Sequence, residues 1–122
     1  MLSGKKYKAV FSDIDGTILN TSHQVPEKTK EKIIALHDQG IPFVLVSARM
    51  PKGMTAIRDE LGGKNPMICY SGALVVDEDG KPIYSVALQT EEAKDLCKKI
   101  PEIAPDVSVN VYSNDNWMAE DL

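Results

Sequence analysis

The stretch Tyr7-Lys8-Ala9-Val10-Phe11-Ser12-Asp13-Ile14-Asp15-Gly16-Thr17 decides how the rest of the chain is read. Its first half, from Tyr7 to Ser12, is a short apolar run of the kind that forms a buried strand. Residues i and i+2 of a strand point the same way, so Asp13 and Asp15 leave the strand end on one side. Gly16 permits the tight turn that follows and lets backbone N–H groups approach an anion. Asp and Gly are common in surface turns, and a bare Asp-x-Asp-Gly would be read as one. Here the pair follows a buried strand and precedes a crossover, which is where open α/β sheets hold their ligands.

The same pattern of apolar run and small polar break recurs along the chain. Pro26 suits the first turn of a helix, Ile33, Ile34 and Leu36 form its apolar stripe, and Gly40 stops it. Ile41 to Val46 is a second buried strand and ends at Ser47-Ala48-Arg49. Met54, Ile57, Arg58 and Leu61 space a second helix, closed by Gly62-Gly63. A third strand, Met67 to Tyr70, breaks at Ser71-Gly72. Strand, helix, strand, helix, strand predicts right-handed crossovers and an α/β fold with a partial Rossmann-like parallel sheet.

The composition shifts near Asp77. Leu74 to Val76 and Ile83 to Val86 flank the turn Asp79-Gly80 and predict a hairpin. Thr90 can cap a helix whose Ala93, Leu96, Cys97 and Ile100 share one face. Past Pro101 and Pro105, Val107, Val109 and Val111 alternate with polar residues; Asn114-Asp115-Asn116 turns the chain into Trp117-Met118-Ala119. We read residues 1–78 as part of one domain and 79–122 as the opening of a second, α+β domain. A return strand that has barely begun leaves Val107 to Tyr112 as an open edge, a surface for self-association.

With 122 residues, 43% hydrophobic and 26% charged, the composition is that of a soluble globular chain and excludes wholesale disorder. Its 14 basic and 18 acidic residues give a net charge of −4, which argues against a nucleic-acid partner. The longest apolar stretch, Ile41 to Val46, falls far short of the roughly 18 residues of a membrane span, so no membrane partner is expected. The N-terminal apolar run is too short for a signal-peptide core, and Asn20-Thr21-Ser22 is then a chance match to a glycosylation acceptor. Cys69 and Cys97 sit at apolar positions without a CxxC and are expected to be buried, reduced thiols of a cytoplasmic protein. GxGxxG, GK[ST] and HExxH patterns are absent, which removes dinucleotide, Walker-type and zinc-protease readings.

Two ionised carboxylates aimed at one spot repel unless a cation bridges them, and oxygen-only donors favour Mg²⁺. The Ser47 hydroxyl can donate to a phosphate oxygen with the Ala48 N–H beside it, although a serine after a strand also serves as a plain cap or turn. Arg49 can pair with phosphate or form a structural salt bridge. Ser71 and Gly72 either line the same cleft or simply turn the chain. His23 and His37 have no partner at metal-ligand spacing, and Tyr112 and Trp117 suit hairpin packing.

With Asp13-Ile14-Asp15-Gly16-Thr17, Val44-Leu45-Val46-Ser47-Ala48-Arg49 and Tyr70-Ser71-Gly72-Ala73 in this order, the chain resembles the haloacid-dehalogenase-like (HAD) hydrolases. The resemblance is strongest to the Cof-type branch, whose cap domain follows the third strand, and it covers nearly the whole chain. It implies a Mg²⁺-dependent phosphatase of small phosphorylated metabolites such as sugar phosphates. Asp13 would be the nucleophile that forms an aspartyl-phosphate and a metal ligand. Asp15 would be the general acid and then base, with its backbone carbonyl on the metal. Ser47 would hold the phosphoryl oxygens with the N–H groups near Ile14 and Ala48, while Arg49, Ser71 and Gly72 would line the substrate cleft.

Ser47-Ala48-Arg49 replaces the commoner Thr-Gly-Arg, and Ser71 stands where the branch usually has Asn. The family's later lysine and its Gly-Asp metal motif have no counterpart in this sequence, so the chain is expected to be an N-terminal piece of a longer enzyme, weak or inactive alone. Two readings compete with the hydrolase. A response-regulator receiver is also acidic and doubly wound, but uses two adjacent acids on its first strand and an Asp at the end of its third. A non-catalytic binding domain would have no need to keep both Asp13 and Asp15.

Overall fold

The computed structural model describes residues 6–119. The start of the N-terminal run, Met1 to Lys5, and the last three positions of the proposed second domain lie outside the described residues. The chain divides into two compact units, one up to Ser85 and one from Val86.

In the first unit, the strands are β1 (Val10–Asp13), β2 (Phe43–Val46), β3 (Met67–Cys69), β4 (Leu74–Val76) and β5 (Pro82–Ser85), with helices α1 (Glu27–Asp38) and α2 (Lys52–Glu60) in the crossovers. They form one five-stranded sheet in the order β1-β2-β3-β4-β5. β1, β2 and β3 are parallel, with Asp13 beside Val46 and Val46 beside Ile68. The expected parallel core is therefore present, and the β4–β5 hairpin extends it antiparallel. The link from Cys69 to Leu74 is too short for a crossover, so β4 can only return alongside β3. That pairing keeps the hairpin within the first unit. Its turn is held by Asp77, whose Oδ1 accepts from Asp79 N (2.9 Å) and Lys81 N (2.8 Å).

Helix α1 starts directly after Pro26 and ends ahead of Gly40, whose φ of +75° favours glycine. Before it, Asn20 organises the small flap: its side-chain oxygen accepts from Ser22 N (2.9 Å) and Gln24 N (3.0 Å). Ile14, Leu45, Met54, Met67 and Cys69 are the largest fully buried side chains, and Ile33, Leu61 and Val76 pack in the same cluster. Burial of each large aliphatic contributes about 1.5–3 kcal/mol, so the core that fixes the three parallel strand ends is built from these residues.

The second unit contains α3 (Thr90–Ile103), β6 (Asn110–Ser113) and β7 (Asn116–Ala119). Gln89, not Thr90, caps α3: its side chain accepts from the backbone of Glu92, and Glu92 reaches back to Gln89 N. Pro101 lies inside the helix near its end, where it cannot donate the usual backbone hydrogen bond. Cys97 is exposed, which corrects the expectation of two buried thiols. The face it shares with Leu96 has no buried residue. The β6–β7 strand pair begins only at Asn110, after a turn at Val107. Tyr112 faces Trp117 across the pair with ring centroids 6.2 Å apart and nearly parallel, and Trp117 Nε1 donates to Asn110 Oδ1 (2.9 Å). No described helix is long and apolar enough to cross a membrane.

Candidate active site

The site lies at the carboxyl ends of β1, β2 and β3, within the first unit. Asp13 (φ −64°, ψ 158°) and Asp15 (φ −69°, ψ 125°) both keep extended backbone angles, and Ile14 between them is completely buried. Ile14 leaves the strand geometry and enters the core, and both carboxylates stay exposed on either side of it. Gly16 (φ +75°) then turns the chain, and Leu19 N closes the loop onto Ile14 O at 3.3 Å.

Asp13 Oδ1 accepts the Ile14 N–H at 2.9 Å. That N–H, expected to face phosphate, is therefore held by the nucleophile candidate's own carboxylate. Asp15 accepts two hydrogen bonds from Arg49, Nη2 to Oδ1 at 2.6 Å and Nε to Oδ2 at 3.1 Å. Of the two roles open to Arg49, the salt bridge is the one formed. Its Nη1 also donates to the Gly53 carbonyl (2.9 Å) in the first turn of α2.

Ser47 is buried and its Oγ accepts the Arg49 N–H at 3.1 Å, which leaves the hydroxyl proton available to an oxyanion. Ala48 is exposed between them. Ser71 N donates to Ser47 O (3.1 Å) and Tyr70 N to Arg49 O (3.0 Å), so the end of β3 is tied to the end of β2. Asp15 with Arg49 and Ser47 with Ser71 are thus brought into direct contact, and Gly72 follows Ser71 in the turn.

One feature was missed in the sequence. Tyr70 (φ +51°) and Ser71 (φ +55°) are consecutive left-handed residues ahead of Gly72 (φ +105°). L-residues pay about 1–2 kcal/mol each for that conformation, so the two bonds to β2 must hold it. Asn tolerates left-handed angles better than Ser. Gly72 is the local cue that could have signalled it.

As metal donors, the two aspartates suit a hard cation in kind, since every donor is oxygen. They are few: among the described residues no group of three or more His, Cys, Asp or Glu could hold an ion.

A family model for haloacid dehalogenase-like hydrolases matches residues 10–122. A Haemophilus influenzae protein named "Putative phosphatase" is 37% identical over 116 residues, which is 95% of this chain and 44% of that protein. The chain therefore spans less than half the length of this curated relative. The crystal structure of a Thermotoga maritima protein superposes with a TM-score of 0.80 at 26% identity, covering 95% of this chain and 43% of the other. A haloacid dehalogenase-like hydrolase from Bacteroides thetaiotaomicron gives 0.82 at 24% identity over 95% of this chain and 44% of its own, a likeness of fold. A receiver would carry an acid at the end of β3, where Tyr70 and Ser71 stand here. The match runs from β1 to the last residue over a shared fold, and the chain belongs to the haloacid dehalogenase-like hydrolases, of the Cof type.

Proposed function

We propose that this chain carries the nucleophile and the acid–base group of a Mg²⁺-dependent cytoplasmic phosphatase acting on small phosphomonoesters, sugar phosphates among them. The observation that supports this most is the pair Asp13 and Asp15, exposed on either side of buried Ile14 at the end of β1. In the reaction, an Asp13 carboxylate oxygen attacks phosphorus and the bond from phosphorus to the leaving oxygen breaks. Asp15 gives its proton to that oxygen, and the alcohol departs. Asp15 then takes a proton from water, whose oxygen attacks the aspartyl-phosphate, and phosphate leaves with Asp13 restored. The Ser47 hydroxyl and the Ala48 N–H serve the phosphoryl oxygens, and Ser71 and Gly72 border the cleft. Phosphoryl transfer asks mainly for such positioning and charge neutralisation.

Mg²⁺ would be held by the Asp13 carboxylate and the Asp15 carbonyl, and when bound it neutralises charge on the phosphoryl group. Two protein oxygens are a small part of a six-oxygen shell, so the 122-residue chain alone is expected to bind the ion weakly and turn over slowly. Residues 79–122 are read as the start of a cap domain, with the edge from Val107 to Tyr112 as a surface for self-association. The test is release of phosphate from p-nitrophenyl phosphate with Mg²⁺, for the chain and for Asp13→Asn, beside sizing chromatography. Loss of all release in Asp13→Asn supports the assignment; equal release from both proteins refutes it.

A further inference from the structure

We infer that Arg49 is the positioning residue of Asp15 and not a ligand of the substrate phosphate, an inference that rests on Asp15 being the acid–base group. A guanidinium binds an oxyanion best through a fork of two parallel N–H groups. The Nε–Nη2 fork of Arg49 is already filled by the two Asp15 oxygens, and Nη1 donates to the Gly53 carbonyl. Arg49 is itself held at two further points: its N–H donates to Ser47 Oγ and its carbonyl accepts from Tyr70 N. Its side-chain carbons lie 3.4–3.9 Å from where a Cβ on Gly53 would stand. A larger residue at position 53 would press on the aliphatic stem that aims the fork.

Asp15, by contrast, follows the strand and precedes Gly16, and is exposed. Its backbone neighbourhood offers little to fix its side chain. The clasp supplies that restraint, carrying the order of β2, α2 and β3 to a carboxylate that must face first a leaving oxygen and then a water. Lysine cannot replace this function, because an ammonium is a point charge without a fork. A phosphate ligand could be replaced by lysine with much of its effect retained.

The experiment uses the isotope-labelled 122-residue chain, wild type, Arg49→Lys and Arg49→Gln, with NMR side-chain couplings of Asp15 as readout. Wild type is expected to show one Asp15 χ1 rotamer and a scalar coupling across the Arg49 Nε–H to Asp15 carboxylate bond. Both variants are expected to show averaged Asp15 couplings with amide signals elsewhere in the sheet unchanged. If Arg49→Gln does not fold, Arg49→Lys alone decides. A single Asp15 rotamer retained in Arg49→Lys overturns the inference, as does absence of the coupling in wild type. Inorganic phosphate is then titrated with Mg²⁺. A loss of phosphate affinity of tenfold or more in Arg49→Gln, restored in Arg49→Lys, also overturns it; a change below threefold in both supports it. Absence of phosphate-induced shifts at Ser47 and Ala48 in wild type counts against the phosphatase reading instead, and the Asp15 rotamers still decide the role of Arg49.

Discussion

Asp15 and Arg49 are 34 positions apart in sequence and joined by two hydrogen bonds, of 2.6 and 3.1 Å, between the turn after β1 and the end of β2. The contact ties the two segments that carry the candidate chemistry. Both side chains keep substantial solvent exposure, 37% for Arg49 and 53% for Asp15, so the pair adds little to global stability and matters for geometry.

Asp15→Asn is expected to slow release of phosphate by about 10²–10⁴-fold, the usual contribution of a positioned acid–base group. The fold should be unaffected, since the side chain is exposed. Steady-state assay beside circular dichroism checks both; full turnover would remove Asp15 from the acid–base role.

Gly16→Ala is expected to destabilise the first unit by about 1–2 kcal/mol, the cost of a left-handed L-residue. No atom lies within 4 Å of the added Cβ, so the backbone angle of +75° is the sole source of the cost. Urea unfolding measures it, and an unchanged midpoint would show that the turn relaxes. At Ser71, also left-handed, substitution by Asn is expected to raise stability by up to about 1 kcal/mol.

Leu45→Ala removes a fully buried side chain from β2 and is expected to cost about 2–5 kcal/mol. That is a large share of the roughly 5–15 kcal/mol that holds a typical domain. Cys97→Ser, on the exposed face of α3, should change stability by less than about 0.5 kcal/mol.

The same contrast is expected in thiol chemistry. A water-soluble disulfide reagent should modify Cys97 in the folded chain and Cys69 only after denaturant is added, because Cys69 is completely buried. Equal rates for the two would contradict the burial of β3.

These residues also show what could be read in advance. The three parallel strands and two helices are legible because each is an apolar run or stripe bounded by Pro26, Gly40 or Gly62-Gly63, and local periodicity carries that information. Asp13 and Asp15 are legible as a pair of acids at the end of an apolar run, although the strand itself ends at Asp13. The Arg49–Asp15 clasp is not, because a pairing across 34 positions depends on the register of β1 against β2 and on where α2 begins. The left-handed angles at Tyr70 and Ser71 are hidden likewise: both residues prefer other conformations, and bonds to β2 override that preference. Cys97 lies on an apolar stripe that predicts burial, and the stripe gives no sign of how much structure there is to cover it.

In the proposed reaction Asp13 is the group that takes the phosphoryl from substrate. The most direct measurement is peptide mass mapping of the Asp15→Asn chain after incubation with Mg²⁺ and a small acyl phosphate, quenched in acid. An acyl phosphate needs no protonated leaving group, and without Asp15 as base the aspartyl-phosphate should persist. The expected result is one phosphoryl adduct, on Asp13, absent when Asp13→Asn is added. An adduct on another residue, or the same adduct in the double variant, would contradict the claim.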